Sequence, residues 1–324
     1  MENSKFIAFI GAGYWGKNIL RVLYELGAVH TVCDTNQQII EEAKNNYPDL
    51  KYTLDFNEVL SNPEIKAVAI ATPAVTHYEF AKRAILAGKD VFIEKPLALS
   101  VKDGEDLVEL THKYNKILMV GHLLQYHPAV NKLKEVIDIG EIGNIRYIYS
   151  NRLNIGKIRR EENVLWSFAP HDISVILMLL NEEPEYVYAF GGSYVTKSIY
   201  DTTLSVMKFA NGIKGHIFVS WLHPYKEQKL IVVGDKAMAV FDDLTKEKLF
   251  LYPHKVEIEN GVPTACKSDY KVIQTYAGEP LKLELTHFLN CIKTREKPKT
   301  DCTEGLKVLK VLDKLEKSLE ANSL

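Results

Sequence analysis

The chain has 324 residues, 46% of them apolar and 25% charged, with 40 Lys and Arg against 42 Asp and Glu for a net charge of −2. That length holds two domains with separate cores. The near-neutral balance gives no electrostatic footprint for nucleic acid or an anionic membrane, and no apolar run approaches bilayer-spanning length. The opening residues MENSK leave no space for a signal peptide, and Cys33, Cys266, Cys291 and Cys302 form no C-x-x-C pair, which reads as a reduced, cytoplasmic protein. Ten histidines include no H-E-x-x-H and no tight His, Cys and carboxylate cluster, so no metal is expected.

Residues 6–10 (FIAFI) form a continuous apolar run, the pattern of a strand covered on both faces of a parallel sheet. GAGYWG follows, placing Gly11, Gly13 and Gly16 in G-x-G-x-x-G with Tyr14 and Trp15 between them. The first glycine permits a tight turn, the second lets a pyrophosphate approach the backbone, and the third lets helix pack on strand. A helix over 17–26 carries Ile19, Leu20, Val22, Leu23 and Leu26 on one face and ends at Gly27. A strand over 28–33 then delivers Asp34 to where a carboxylate binds the adenosine ribose hydroxyls. The glycines alone would suit an ordinary turn; strand, glycines, helix, strand and acid in this order specify a dinucleotide site. Asp34 repels a 2′-phosphate, and neither Thr35 nor Asn36 supplies a cation, so NAD is expected rather than NADP. Capping the helix over 37–46 is a compatible second task for Asp34.

Alternation continues through a strand at 67–71, a turn at Thr72 and Pro73, a helix over 75–87 ended by Gly88, and a strand at 90–93. A helix capped by Ser100 and a strand at 117–120 follow, together a parallel sheet with helices on both faces. Ligands lie beyond the carboxyl ends of such strands, which singles out Thr72, Pro73, His77, Glu94 and Lys95 for the cofactor. His77 either reaches a ribose or the substrate, or is a solvated helix residue. Lys95 directly follows a buried strand, where a cationic nicotinamide and partial desolvation would lower its pKa; pairing with Glu94 at the surface is the alternative.

GAGYWG, Asp34, ATPAVTH at 71–77 and EKPL at 94–97 together resemble the glucose-fructose oxidoreductase, inositol dehydrogenase and rhizopine catabolism (Gfo/Idh/MocA) family. The resemblance spans essentially the whole chain, and E-K-P is its most specific element. It implies an α/β protein: a Rossmann domain, here 1–121, followed by an α+β domain with a large, mostly antiparallel open sheet, here 122–324. It further implies NAD-linked chemistry on a carbon of a sugar, cyclitol or related polyol, with Lys95 contacting the reacting hydroxyl and a cis Lys95–Pro96 bond. A large sheet with one uncovered face suggests a homodimer or homotetramer.

In the second half a helix is expected over 128–137. Strands follow at 145–152, 186–194, 202–209, 213–221, 229–233, 237–242 and 248–252, with turns such as Asn211-Gly212 and Gly234-Asp235 indicating an antiparallel meander. Helices over 281–294 and 303–319 close the chain, the last expected to return to the first domain.

The densest site candidate is 152–177. Ile173, Ile176, Leu177 and Leu180 share a face, predicting a helix over 170–180 with His171 in its opening turn. An imidazole there suits accepting a hydroxyl proton as hydride leaves the same carbon; a structural histidine is the alternative. The resemblance places a catalytic histidine in this segment, but with an Asp four residues earlier where this chain has Ser167, while Asp172 should point away from it. Arg152, Lys157, Arg159 and Arg160 either form local ion pairs with Glu161 and Glu162 or grip a phosphate-bearing substrate. The run 151–173 resembles the subgroup that oxidises C3 of UDP-N-acetylglucosamine or its uronic acid for polysaccharide or lipid A precursors. That resemblance makes Arg152, Arg159 and Asn163 substrate-binding candidates beside Lys95 and His171, with Trp166 near the cofactor. The alternatives are a dehydrogenase of a free cyclitol or sugar, and a non-catalytic NAD-binding sensor, which would not need Lys95 and His171 together.

Overall fold

The computed structural model describes residues 5–322. Its chain divides into two units, Met1–Leu123 with Glu279–Leu309, and Leu124–Gly278 with Lys310–Leu324.

In the first unit the apolar run becomes β1 (Ile7–Ile10), buried at every position, and α1 (Gly16–Glu25) follows the glycine loop. The chain continues through β2 (Val29–Cys33), α2 (Gln37–Asn46), β3 (Lys51–Thr53), α3 (Phe56–Ser61), β4 (Ala67–Ile70), α4 (His77–Leu86), β5 (Asp90–Glu94), α5 (Val101–Tyr114) and β6 (Leu118–Gly121). These strands form one parallel sheet in the order β3-β2-β1-β4-β5-β6. The strand order reverses at β1, the topological switch point at which an open α/β sheet binds its ligand. β3 and α3 were not expected: β3 is a three-residue edge strand without an apolar run, and Asp55 caps the short α3 by accepting from Asn57 N.

The second unit opens with α6 (Pro128–Asp138), β7 (Ile145–Ile155) and α7 (Val164–Leu180). Next come β8 (Tyr186–Gly192), β9 (Thr202–Lys208), β10 (Lys214–Ser220), β11 (Leu222–Gly234), β12 (Met238–Asp242) and β13 (Leu249–Tyr252). β14 (Lys255–Glu259), β15 (Val262–Cys266) and β16 (Lys271–Val272) end it, and α8 (Pro280–Thr294) and α9 (Cys302–Ala321) close the chain. Eight strands form a sheet in the order β16-β13-β12-β11-β7-β10-β9-β8; β7 and β10 run parallel and the other pairs antiparallel. One face buries Ile148, Ile217, Val219, Leu230, Val232 and Phe241. The opposite face carries, in register across all eight strands, Tyr188, Val206, His216, Tyr149, Ile231, Val240, Phe250 and Val272, none of them buried.

Two expectations are corrected. Residues 279–309 belong to the first unit rather than to a continuous domain 122–324, because the whole of α8 and the start of α9 pack there, and α9 is divided at Leu309. The 170–180 helix starts six residues earlier, at Val164, because Asn163 is the cap and accepts from Trp166 N; Pro170 lies inside α7, and His171 lies well beyond its opening turn.

Candidate active site

At the switch point the glycines meet the demands of a dinucleotide cradle. Gly11 sits at φ +91°, and a side chain there would lie 2.9 Å from the Ala71 backbone and from Thr72. A Cβ on Gly16 would fall 2.0 Å from the Gly11 carbonyl oxygen, so only glycine lets α1 approach β1 this closely, whereas at Gly13 it would meet nothing within 4 Å. α1 begins without a side-chain cap; Lys17 N and Asn18 N donate to the Gly13 and Trp15 carbonyls of the loop itself. Tyr14 is fully out in solvent and Trp15 half-exposed.

Asp34 ties β2 to this loop. Its Oδ2 accepts from Ala12 N at 2.9 Å and its Oδ1 from Asn36 N at 2.9 Å. It does not cap α2; Asn36 does, accepting from Gln38 N. Beside it, Asp34 N donates to Thr53 O, and a recess of about 350 Å³ opens between α2 and the β3–α3 turn, lined by Ile40, Lys44, Tyr52, Thr53 and Leu54 among others.

On the other side of β1, β4 is followed by Thr72 and Pro73, and the Thr72 and Thr76 hydroxyls bond at 2.7 Å. β5 ends at Glu94, followed by Lys95 and a cis Lys95–Pro96 bond. The Glu94 carboxylate accepts from the Trp15 indole N–H at 2.8 Å and from Lys95 N at 3.3 Å. Glu94 is therefore a brace that joins the glycine loop to the lysine turn. Burial pushes its carboxyl above the ordinary range, opposed by the Trp15 hydrogen bond and the Lys95 charge. A Cβ at Gly121 would stand 3.1 Å from Glu94 Oε1, so the glycine makes room for the brace. His77 is corrected: it is 1% exposed, with Nδ1 2.7 Å from Pro96 O and Nε2 2.9 Å from Thr72 O. It tethers β4 and β5 ends and presents neither ring nitrogen to a ligand.

In the second unit α7 carries His171, with Ser167 one turn before it. Asp172 turns to β7, accepting from Ser150 Oγ at 2.6 Å, Arg152 Nε at 2.9 Å and Arg152 Nη2 at 3.1 Å. Arg152 thus leaves the substrate set, because its fork is filled by a carboxylate that is 3% exposed. Burial opposes the Arg152 charge, and Asp172 outweighs it, holding the guanidinium above its usual value. Arg159 is 42% exposed and pairs with Glu162 at 2.9 Å. Asn163 Nδ2 donates to both Glu316 oxygens, and Trp166 Nε1 to Oε2 at 3.1 Å, so both expected ligand contacts are instead directed at α9. Glu316 lines a recess of about 770 Å³ with Gly191, Tyr194 and Tyr200, and burial raises its pKa.

Residues 5–122 match the model of the oxidoreductase family with an NAD-binding Rossmann fold, and residues 130–240 match the Gfo/Idh/MocA C-terminal domain. The chain belongs to the Gfo/Idh/MocA oxidoreductase family, and its first unit is an NAD-binding Rossmann domain. Myo-inositol 2-dehydrogenase of Thermotoga maritima is 25% identical over 90% of this chain and 89% of its own. UDP-N-acetylglucosamine 3-dehydrogenase of Acidithiobacillus ferrooxidans is 26% identical over 80% of each. The latter's structure superposes with a TM-score of 0.86 at 24% identity over 97% of both chains. The WlbA dehydrogenase of Bordetella pertussis, solved with NADH and UDP-GlcNAcA, gives 0.84 at 19% identity over 100% of this chain and 97% of its own. At those identities the structures establish a shared fold.

Sequence reasoning missed two features of the NAD-binding unit. The recess beside Asp34 depends on β3, too short to announce itself. Glu284 on α8 is fully buried with both carboxyl oxygens lacking a hydrogen-bond partner among the described residues, yet in the string LKLELTHF it reads as a solvated helix residue.

Proposed function

We propose that the protein is an NAD-dependent dehydrogenase acting on a sugar hydroxyl, most specifically C3 of UDP-N-acetylglucosamine or its uronic acid. The observation that carries the NAD-linked part is the joined cradle: open backbone at Gly13, Asp34 on the β2 side, and the Glu94–Lys95 turn on the β5 side, braced to Trp15. Strand order gives the cofactor a direction. Asp34 would hold the adenosine ribose and the adjoining recess its base, and the residues after β4 together with Lys95 would hold the other half of the dinucleotide. Bound NAD supplies the hydride acceptor. Lys95 donates a hydrogen bond to the reacting hydroxyl and orients it, and a ring nitrogen of His171 accepts the hydroxyl proton, which avoids a free alkoxide.

The choice of a nucleotide sugar is supported by the A. ferrooxidans and B. pertussis relatives and by exposed Arg159, whose local pair with Glu162 is weak enough to exchange for phosphate. The loss of Arg152 from the cationic set favours the runner-up, a free cyclitol, which the T. maritima relative also represents. We assign the protein to the cytoplasm, in keeping with four unpaired cysteines. We also assign it a homodimeric or homotetrameric state, in which the row from Tyr188 to Val272 is covered by a second copy. The test is NADH fluorescence after mixing protein and NAD with UDP-N-acetylglucosamine, its uronate or myo-inositol. A rise with a UDP-sugar alone is expected; a rise with inositol alone rejects the substrate, and silence with all three rejects the reading.

A further inference from the structure

Glu284 has no task in the scheme above. It is 0% exposed, and neither oxygen has a hydrogen-bond partner among the described residues, a costly state for a carboxylate and a tolerable one for a neutral acid. Its position relative to Glu94 follows from the packing of α8 on β5. The Phe288 and Phe92 rings meet at 5.7 Å between centroids. Glu284 is one turn before Phe288 on the same helix face, and Glu94 is two residues beyond Phe92 on the same strand face, displacements of about 6 Å and about 7 Å. The Phe92–Phe288 contact sets this segment of α8 against this segment of β5, and burial, then the Glu94 charge, raises the Glu284 pKa well above the ordinary range.

We propose that Glu94 and Glu284 form a buried carboxyl pair that exchanges a proton with solvent as the neighbouring cofactor changes charge. The inference rests on the NAD reading and on the Lys95 turn being at its nicotinamide end. The oxidised nicotinamide ring is a cation and the reduced ring is neutral. A cation beside Glu94 favours the ionised pair, so a carboxyl O–H bond breaks and its proton passes to the buffer; the neutral ring lets the pair hold that proton. No electrons move in this step. Other titratable groups facing Glu94 are Lys95 and His122, and His122 Nδ1 lies 2.6 Å from Glu304.

Calorimetric titration of the full chain with NAD and with NADH, each in two buffers of different ionisation enthalpy, counts the protons exchanged on binding. Near neutral pH, NAD should release more protons than NADH, the difference being a measurable fraction of one proton. The isosteric Glu284→Gln should abolish most of that difference while binding both nucleotides. Equal counts in the wild type overturn the proposal and leave the NAD reading standing, as does a difference that persists unchanged in Glu284→Gln, which assigns it to His122 or Lys95. Failure of either nucleotide to bind overturns the cofactor reading and the proposal with it.

Discussion

Replacing Arg152 by alanine tests whether this arginine grips substrate or holds α7 to the sheet. Its guanidinium makes two bonds to Asp172, at 2.9 Å and 3.1 Å, and the two side chains are 13% and 3% exposed. Arg152→Ala leaves the Asp172 carboxylate buried with only the Ser150 hydroxyl as a donor among the described residues, at 2.6 Å. Breaking one side of such a pair costs about 3–5 kcal/mol, a large part of the roughly 5–15 kcal/mol that holds a domain folded. Removing both charges together, as Arg152→Met with Asp172→Leu, should recover most of that loss, since Ser150 Oγ still donates to the Lys229 carbonyl at 3.1 Å. Urea unfolding followed by tryptophan fluorescence, in a Trp15→Phe background to remove the first unit's signal, reports the right region, because Trp166 lies on α7 and Trp221 is fully buried in the second unit and meets Phe168 of α7 edge-on at 6.5 Å. A single variant with a wild-type midpoint, and a Michaelis constant for the sugar raised many-fold, would refute the structural role and return Arg152 to the substrate set.

Lys95→Ala should keep its NADH affinity within about threefold while turnover falls about 100-fold or more; unchanged turnover, measured by NADH formation, removes Lys95 from the mechanism. The pH dependence of stability should change in Glu284→Gln. Burial raises the Glu284 pKa in the folded state, so the folded protein holds a proton the unfolded chain loses near pH 4.3. Wild-type stability therefore falls as pH rises from there toward the folded pKa, by at most about 1.4 kcal/mol per pH unit from this group. The variant should lose that slope and gain on the wild type as pH rises above about 4.3 in thermal melts. Parallel pH profiles would refute an un-ionised Glu284.

The cradle was legible because its chemistry is written in single residues. Gly11 and Gly16 have contacts no other residue permits, and Asp34, directly after the second strand, accepts from Ala12 N of the glycine loop. The second-unit candidates were less legible because partners distant in sequence decide what a cation does. Arg152 looked like part of a cationic run, whereas Asp172, twenty residues on, fills its fork. Likewise Asn163 and Trp166 are directed at Glu316 on α9, about 150 residues away. Pro170 suggested a helix start by the usual preference of proline for the first turn; the Asn163 cap overrode it. The β14–β15 hairpin was readable and missed: Asn260 and Gly261 both adopt positive φ, 53° and 81°, the two-residue turn that N-G favours.

The central claim, hydride transfer from a sugar carbon to NAD, is tested most directly with UDP-N-acetylglucosamine deuterated at C3. Incubation with the protein and NAD, followed by mass spectrometry of the nucleotide, should give NADH one mass unit heavier. Unlabelled NADH would reject C3 as the reacting carbon, and no reduced nucleotide from this substrate would contradict the account of a nucleotide-sugar 3-dehydrogenase.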